Sequence, residues 1–509
     1  MAIFAPLDCF IYCVLGWFTH MVYKTWRNIY RDPLVKIPGP KLWASFRLPY
    51  VISLWRGRLV YGDIVRVAPN EVSFATEAAW DDIYCHRSGH SPFLKNPIWW
   101  GEVPGRAESI VSASTTKNHE RLRRIIGSCF TDKAHVEAEP SVQQHVSKLI
   151  EKLTERVSGS KSGSYIVNIV DWYMFTTFDI IGDLGFGDSN AFGCLDNSTY
   201  HPWVLEIFSY FKLGALLSTI RFYDMLAQVI MRALPANMVK AQEKNYQWAC
   251  QKVHRRLNLE VQRRDFMSKL LPHFSPDAGM GDETRKLSPT ELENNFYVLT
   301  VAGSETCGTV LSGTTNYLIK TPDSLRSLTE EVRGAFQDPN MLTFESLSKL
   351  PYLNAVIKEG LRLSPPVGGA LSHVVPEGVT LCVEFGSPVA YTNVGVHQWS
   401  LYRSATKFHK STAFIPARWL EPALSDPESP YHADHRDAVQ AFSTGTWACI
   451  GKQLGLAELR LILARMVWNF DLSLPVNGNN VVWEKQKHYV LVQKEGFDVE
   501  LSMRSDLRG

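Results

Sequence analysis

With 509 residues, the chain is long enough for one large catalytic domain or two to three ordinary ones. Its 45% hydrophobic content is that of a globular protein, and a formal net charge of +2 gives no basis for nucleic-acid binding or a polybasic membrane patch. Nine scattered cysteines, odd in number and without a C-x-x-C pair, argue against a disulfide framework and a zinc site and point to a reducing compartment.

Cys9 to Phe18 is an unbroken apolar run that extends past Thr19 and His20 to Tyr23, followed by Lys24, Arg27 and Arg31. Fifteen helical residues reach about 22 Å against a hydrocarbon core of about 30 Å, so a crossing needs Ile3 to Leu7 as well, against the cost of Asp8. The bases after the run place the remainder on the cytoplasmic side. No small-residue cleavage site stands out, and the segment reads as an uncleaved signal anchor. Residues 1–31 are therefore expected to be a membrane anchor with a basic flank, and 32–509 a catalytic domain.

Ile37-Pro38-Gly39-Pro40 is a stiff turn. Partial alternation from Val65 to Phe74 predicts strands of a small sheet. His86 to Thr116 is a long stretch rich in Gly, Pro and Ser with Trp99 and Trp100 in it; loops of that length are often functional, and the plainer reading is a surface loop with two buried tryptophans. His119 and Arg123, four apart at the start of a predicted helix, share one face. Arg121 and Arg124 fall elsewhere, on a solvated face or a docking patch for an acidic partner. Asp179 to Gly187 holds a G-x-x-G-x-G string, but without the strand and helix start of a dinucleotide site it reads as a helix end and turn. Phe274 to Arg285, with Pro276, Gly279 and Gly281, reads as an exposed linker.

Ser288-Pro289-Thr290-Glu291 is a helix-start signal, and the helix runs toward Leu318 with Ala302-Gly303-Ser304-Glu305-Thr306 inside it. Asn354 to Leu363 is a second helix with Glu359 and Arg362 at i,i+3 spacing. Phe414-Ile-Pro-Ala-Arg-Trp419 follows. In Phe442 to Glu458, FSTGTWACIGKQLGLAE, Cys449 stands just before a helix from Lys452 to Phe470, where the dipole and free first-turn amides favour a thiolate, a metal ligand. Gly445 and Gly451 allow a sharp turn and close approach to a flat cofactor, and Phe442 offers an apolar wall.

Phe442, Gly445, Cys449 and Gly451 match F-x-x-G-x-[R/H]-x-C-x-G, so the chain resembles the cytochrome P450 superfamily. Ala302 to Thr306 resembles that family's [A/G]-G-x-[D/E]-T, Glu359 and Arg362 its E-x-x-R, and Arg418 the arginine of P-x-R-[F/W]. These motifs occur in the family's order, and the resemblance spans Pro38 to Leu501. It implies a mainly α fold with a small β region, the P450 fold, after an N-terminal membrane-anchor helix. It implies haem b with Cys449 as axial ligand to the iron, Gly303 leaving room for dioxygen, and Thr306 bonded to the Ala302 carbonyl. Glu305 would deliver protons. Glu359, Arg362 and Arg418 would form a buried structural charge cluster. The loop with Trp99 and Trp100 would cap the substrate pocket.

Two departures stand out: Ala417 replaces an acidic residue, and Trp447 replaces the base that pairs with a haem propionate. An indole offers one neutral N–H donor, so His119, Arg123 and an imidazolium at His373 are expected to compensate. Electrons would come from NADPH through a separate cytochrome P450 reductase docking near Lys452, Arg121 and Arg124. The closest likeness is to fungal enzymes of secondary metabolism acting on a lipophilic terpenoid, polyketide or alkaloid, at the endoplasmic reticulum membrane. Rival readings are a haem-thiolate isomerase or dehydratase without dioxygen, and a non-catalytic haem-binding membrane protein.

Overall fold

The computed structural model describes residues 6–57, 62–87, 89, 91–101, 105–233, 235–259, 263–275, 286–379 and 390–504. Pro276, Gly279 and Gly281 of the expected linker lie outside the described residues.

The molecule is built around one helix, Ile169–Phe186, that is buried at nearly every position, its inward polar side chains Asp179 and Asp183 answered by backbone amides and by Arg263 and His145. Asp132–Ser158 packs on it through Val142, Val146, Leu149, Leu153 and Val157, a three-and-four stripe that starts after Thr131 caps the Ala134 amide at 3.2 Å. The long helix Pro289–Lys320 crosses on another side. Its predicted start is a full capping box: Ser288 Oγ accepts from the Glu291 amide at 3.2 Å, and Glu291 Oε2 from the Ser288 amide at 3.0 Å. Pro351–Leu363 and Lys452–Asn469 complete the core. Helix Ile169–Phe186 ends on Gly187 in the left-handed region, so the G-x-x-G-x-G string is the predicted helix end.

The β structure is small. Ile64–Ala68 and Glu71–Phe74 pair antiparallel, the strands expected between Val65 and Phe74. Glu71–Phe74 then runs parallel to Asn393–Val396, which pairs with His373–Val374, and that strand pairs antiparallel with Leu94–Lys95. Lys95 therefore stands directly opposite His373. A three-stranded sheet and a hairpin, Lys487–His488 with Val492–Gln493, lie near the C-terminus.

Pro6–Tyr30 is one continuous helix. Tyr12, Trp17, Phe18 and Tyr23 are exposed on it, while its end is tied down: Arg66 donates to Asn28 O at 2.9 Å and pairs with Asp32 at 3.2 Å. Among the described residues no helix is long and apolar enough to cross a membrane. The Pro-Gly-Pro turn lies against the strand at Arg66, whose amide donates to Pro38 O at 2.7 Å.

Candidate active site

Cys449 lies two residues after the 3-10 turn Gly445–Trp447 and just before helix Lys452–Asn469, and its amide donates to Phe442 O at 2.8 Å. The thiol is solvent-accessible, yet burial is the largest influence on it and raises its pKa. The Gly451 amide, Arg123 and Lys452 all pull the other way without winning. Desolvation thus opposes the thiolate that the Gly451 amide, Arg123 and Lys452 favour. Half-buried Phe442 stands beside the loop, with Lys452 Nζ 6.0 Å from its ring centre.

Gly445 makes the sharp turn expected of it: its φ is +65°, and a β-carbon there would run into Tyr84 O and the Cys85 backbone, so its bareness also lets the loop pass the end of helix Ala78–Tyr84. At Gly451 a β-carbon would meet only Phe130 at 3.6 Å, an ordinary contact.

Beside the loop lies a cluster of bases. The Trp447 ring has His119 at 4.1 Å and His373 at 5.7 Å between centroids, and Lys95 Nζ 4.7 Å from its centre. Its indole N–H donates to Phe93 O at 3.2 Å, so Trp447 has no donor left for a propionate. Arg123 donates to Ala448 O at 2.6 Å, next to the cysteine. His119 is pushed down to about 3 by burial and by Lys95, Arg123 and His373; His373 is pushed down to about 3 by burial and Lys95, despite the Leu371 carbonyl. His373 Nδ1 donates to that carbonyl at 2.9 Å, leaving Nε2 buried and unpartnered. Both histidines are neutral, so the imidazolium expected at His373 is corrected: its one proton is committed to the backbone. The cations are Arg123 and Lys95, and the sequence reading missed the lysine. Among the described residues no carboxylate stands within ion-pair distance of either.

On helix Pro289–Lys320, Ala302 is exposed and Thr306 half-buried, one turn apart, in a stretch otherwise mostly buried. Thr306 Oγ donates to Ala302 O at 2.8 Å, the bond the motif predicts. Gly303 points elsewhere: a β-carbon would lie 2.7 Å from Ile181 Cδ1. Its smallness lets the helix close on Ile169–Phe186. Glu305 is buried and ion-paired to Lys494, whose Nζ also donates to Thr309 Oγ1 at 3.1 Å; Glu305 Oε2 has no partner. Burial raises the Glu305 carboxyl, opposed by Lys494. Lys494 was not foreseen. Nor was Glu458, nine positions after Cys449, pushed up to about 8 by burial and hydrogen-bonded to the Cys307 thiol.

Glu359, Arg362 and Arg418 do meet. Arg362 holds Glu359 through two bonds of 2.8 and 2.7 Å, Arg418 Nε joins at 3.1 Å, and the Trp419 indole and Ile415 amide each donate at 2.9 Å. Burial opposes the Glu359 charge, but the two arginines and the Ile415 amide hold its carboxyl below the ordinary value. Arg418 also pairs with Asp434, so an acid distant in sequence stands in for the one missing at Ala417.

Elsewhere, Trp99 and Trp100 are half-buried, Trp100 donating to Ser372 O at 2.9 Å, and short elements Leu94–Lys95 and Pro97–Trp100 replace the expected continuous loop. Arg121 is not a free docking base: it pairs with Glu291 and donates to Lys286 O at 2.9 Å. Arg124 and Lys452 are exposed.

The residues fit a haem. Among the described residues no three His, Cys, Asp or Glu side chains gather as metal ligands. The unpaired cations and the buried, unpartnered His119 Nδ1 and His373 Nε2 mark a polar cradle suited to that group's carboxylates.

Residues 61–501 match the family Cytochrome P450. The chain is 37% identical over 494 residues to Cytochrome P450 monooxygenase astJ of Aspergillus oryzae, covering 94% of this chain and 95% of that one. It is 37% identical over 490 residues to the Trichothecene C-4 hydroxylase of Trichoderma arundinaceum, covering 92% of each. Its fold is similar to the crystal structure of the cytochrome P450DA heme domain, with a TM-score of 0.66 at 17% identity over 85% of this chain and 87% of that one. The mainly α fold, the cysteine placed just before helix Lys452–Asn469 and these relatives agree, and the chain belongs to the cytochrome P450 family.

Proposed function

We propose that the protein is a haem-thiolate monooxygenase that uses electrons from an NADPH-dependent reductase to oxidise a lipophilic small molecule in fungal secondary metabolism. The monooxygenase class follows from the family; the substrate class is carried over from relatives such as the trichothecene hydroxylase. The observation that carries the reading is the exposed Cys449 on its loop, near two cations, Arg123 and Lys95, that have no carboxylate partner among the described residues.

Haem b bound there, held by Cys449, would supply dioxygen activation. The chain's residues set the conditions. Cys449 would hold the iron, and Arg123 and Lys452 would steady the negative charge of its sulfur. Thr306 has its own proton on Ala302 O, so its lone pairs accept from a water until rotation frees that proton. Glu305 moves protons only when its pair with Lys494 opens. The exposed Lys452 and Arg124 offer an acidic reductase a salt-sensitive docking surface. Residues 1–31 tether the catalytic domain to the cytoplasmic face of the endoplasmic reticulum, and the exposed aromatics of helix Pro6–Tyr30 suit an apolar surround. The isomerase and non-catalytic readings gain nothing from relatives named as monooxygenase and hydroxylase.

The test is the spectrum of the reduced, carbon-monoxide-bound protein. Wild type should give the red-shifted Soret band of thiolate ligation and Cys449→Ala should lose it. A Cys449→Ala protein that keeps the band would end the assignment.

A further inference from the structure

Glu305 is locked by a residue from the far end of the chain. Lys494 bonds one of its carboxylate oxygens and donates to Thr309 Oγ1, while the other oxygen, Oε2, is buried without a partner. The two side chains are nearly closed to solvent, at 5% and 3% exposure. A buried pair with one bare oxygen is only partly compensated, so it depends on where the chain places Lys494. That placement is set by a small hairpin. Lys487–His488 and Val492–Gln493 pair through two residues each, and Lys494 comes next. One residue further the chain is pinned: the Glu495 amide donates to Gln486 Oε1 at 2.9 Å, and Gln486 Nε2 donates to Glu495 O at 3.5 Å.

The other end of the hairpin lines a cavity. Its turn puts Tyr489 and Val490 in a wall shared with Trp99, Trp100 and Leu371, the last of these two residues before His373 of the basic cradle. The cavity holds about 30 Å³, room for about one water, so a larger molecule has to displace a wall. Trp100 is tied to Ser372 O at 2.9 Å. The hairpin has its own turn bond, from the Tyr489 amide to Leu491 O, and one tie outward, from the His488 amide to Gly57 O at 3.2 Å. A hairpin that short is marginal by itself, which makes the turn the wall that yields.

We propose that Lys494 is a positioning residue through which this cavity governs Glu305: a lipophilic molecule lodging under Trp99 and Trp100 displaces the turn, and the hairpin, pivoting at Glu495, draws the ammonium off the carboxylate. The inference rests on the monooxygenase reading, which gives Glu305 protons to move. Parted from Lys494, the buried carboxylate takes a proton from solvent and becomes a neutral acid next to Thr306, able to donate. The groups present fix that direction. Burial raises the Glu305 carboxyl, Lys494 opposes it, and Tyr200, whose phenol donates to Asp171 at 2.7 Å, feels the carboxylate from another side. Proton supply is then withheld until the cavity is filled, which spares reductant when no substrate is present.

The test fills the cavity with a side chain, through Val490→Phe and Val490→Trp. The readout is the infrared carbonyl band of a protonated carboxyl in the purified holoprotein, assigned to Glu305 by its loss when Glu305→Gln is added. Wild type and Lys494→Arg should lack the band. Lys494→Met should show it, and so should both Val490 variants, the larger side chain more strongly. With reductase and no substrate, these three variants should consume NADPH several-fold faster than wild type, and adding Glu305→Gln should remove the rise. The carbon-monoxide spectrum checks each variant for an intact site, and Val490→Phe carries the test if Val490→Trp does not fold. A Lys494→Met protein without the band would overturn the role of Lys494. The band in Lys494→Met but in neither Val490 variant would overturn the coupling to the cavity. A wild-type protein without the thiolate band would instead defeat the haem-thiolate reading, and would leave the infrared comparison standing.

Discussion

Two clusters of buried or half-buried charge flank the cysteine loop, and they are built on opposite plans. Around Glu359 every charge is answered: Arg362, Arg418 and Asp434 alternate in sign, and the Trp419 indole and backbone groups take the remaining bonds. Around Trp447, Lys95 and Arg123 find only carbonyls, and one nitrogen of each histidine is left unpartnered. A closed network makes its own stability and has nothing left to bind. An open one is costly until an anion arrives, which marks a binding surface.

The largest expected effect comes from opening the closed network. Glu359→Gln keeps the shape but leaves Arg362 without a carboxylate and Arg418 with Asp434 alone, and should cost about 3–5 kcal/mol, read as a collapse in denaturant midpoint or failure to recover folded protein. A loss below 1 kcal/mol would mean that backbone carbonyls suffice for both guanidinium groups. Arg123→Ala should do the reverse: haem content after purification falls well below wild type, while the protein without haem stays folded.

The clusters should also separate by pH. Glu359 has its carboxyl held below the ordinary value, so its contribution is present above the unfolded carboxylate range and lost as pH falls through the folded value. Lys95 is a base lowered to about 7, so between there and its ordinary value near 10.5 the unfolded chain holds more protons than the folded one, and haem-free stability rises with pH. Melting of the haem-free protein from neutral to mildly alkaline pH should show that rise, and Lys95→Met should lose it. An identical slope in both proteins would remove Lys95 from the account.

Smaller effects belong to helix Pro289–Lys320. Thr306→Ala should keep haem but consume more NADPH per product, because the protic group at that position is gone. Lys494→Met should free Glu305 from its ion pair at the price of an uncompensated buried carboxyl, and so change the pH dependence of turnover more than the haem content. Unchanged coupling in the first and an unchanged profile in the second would place proton delivery elsewhere.

What could be read from the sequence was whatever is local along the chain. The Ser288–Glu291 capping box, the Glu359 and Arg362 spacing and the turn before Cys449 each lie within a few residues of one another, so spacing alone gives geometry. Lys95, Asp434 and Lys494 were invisible for the opposite reason. Each is a charge in an irregular stretch whose meaning depends on pairing with a residue far away, and the sign that Lys95 matters, its register opposite His373, exists only once the strands pair. Glycines were legible as points of close approach but not as to what approaches: Gly303 faces Ile181 and Gly445 faces Tyr84. Glu458, seven residues past the end of the motif, escaped notice, since only burial beside Cys307 gives it a role.

The contrast between the two clusters is tested most directly by melting the Lys95→Met/Arg123→Ala double variant without haem and again after haem is added. The account predicts that the haem-free variant melts close to haem-free wild type, because the lost carbonyl bonds are offset by relief of two unbalanced cations. It also predicts a much smaller rise on haem addition than wild type shows. A double variant that melts far below wild type without haem, yet gains as much from haem, would contradict it: the bases around Trp447 would then hold the fold and not the cofactor.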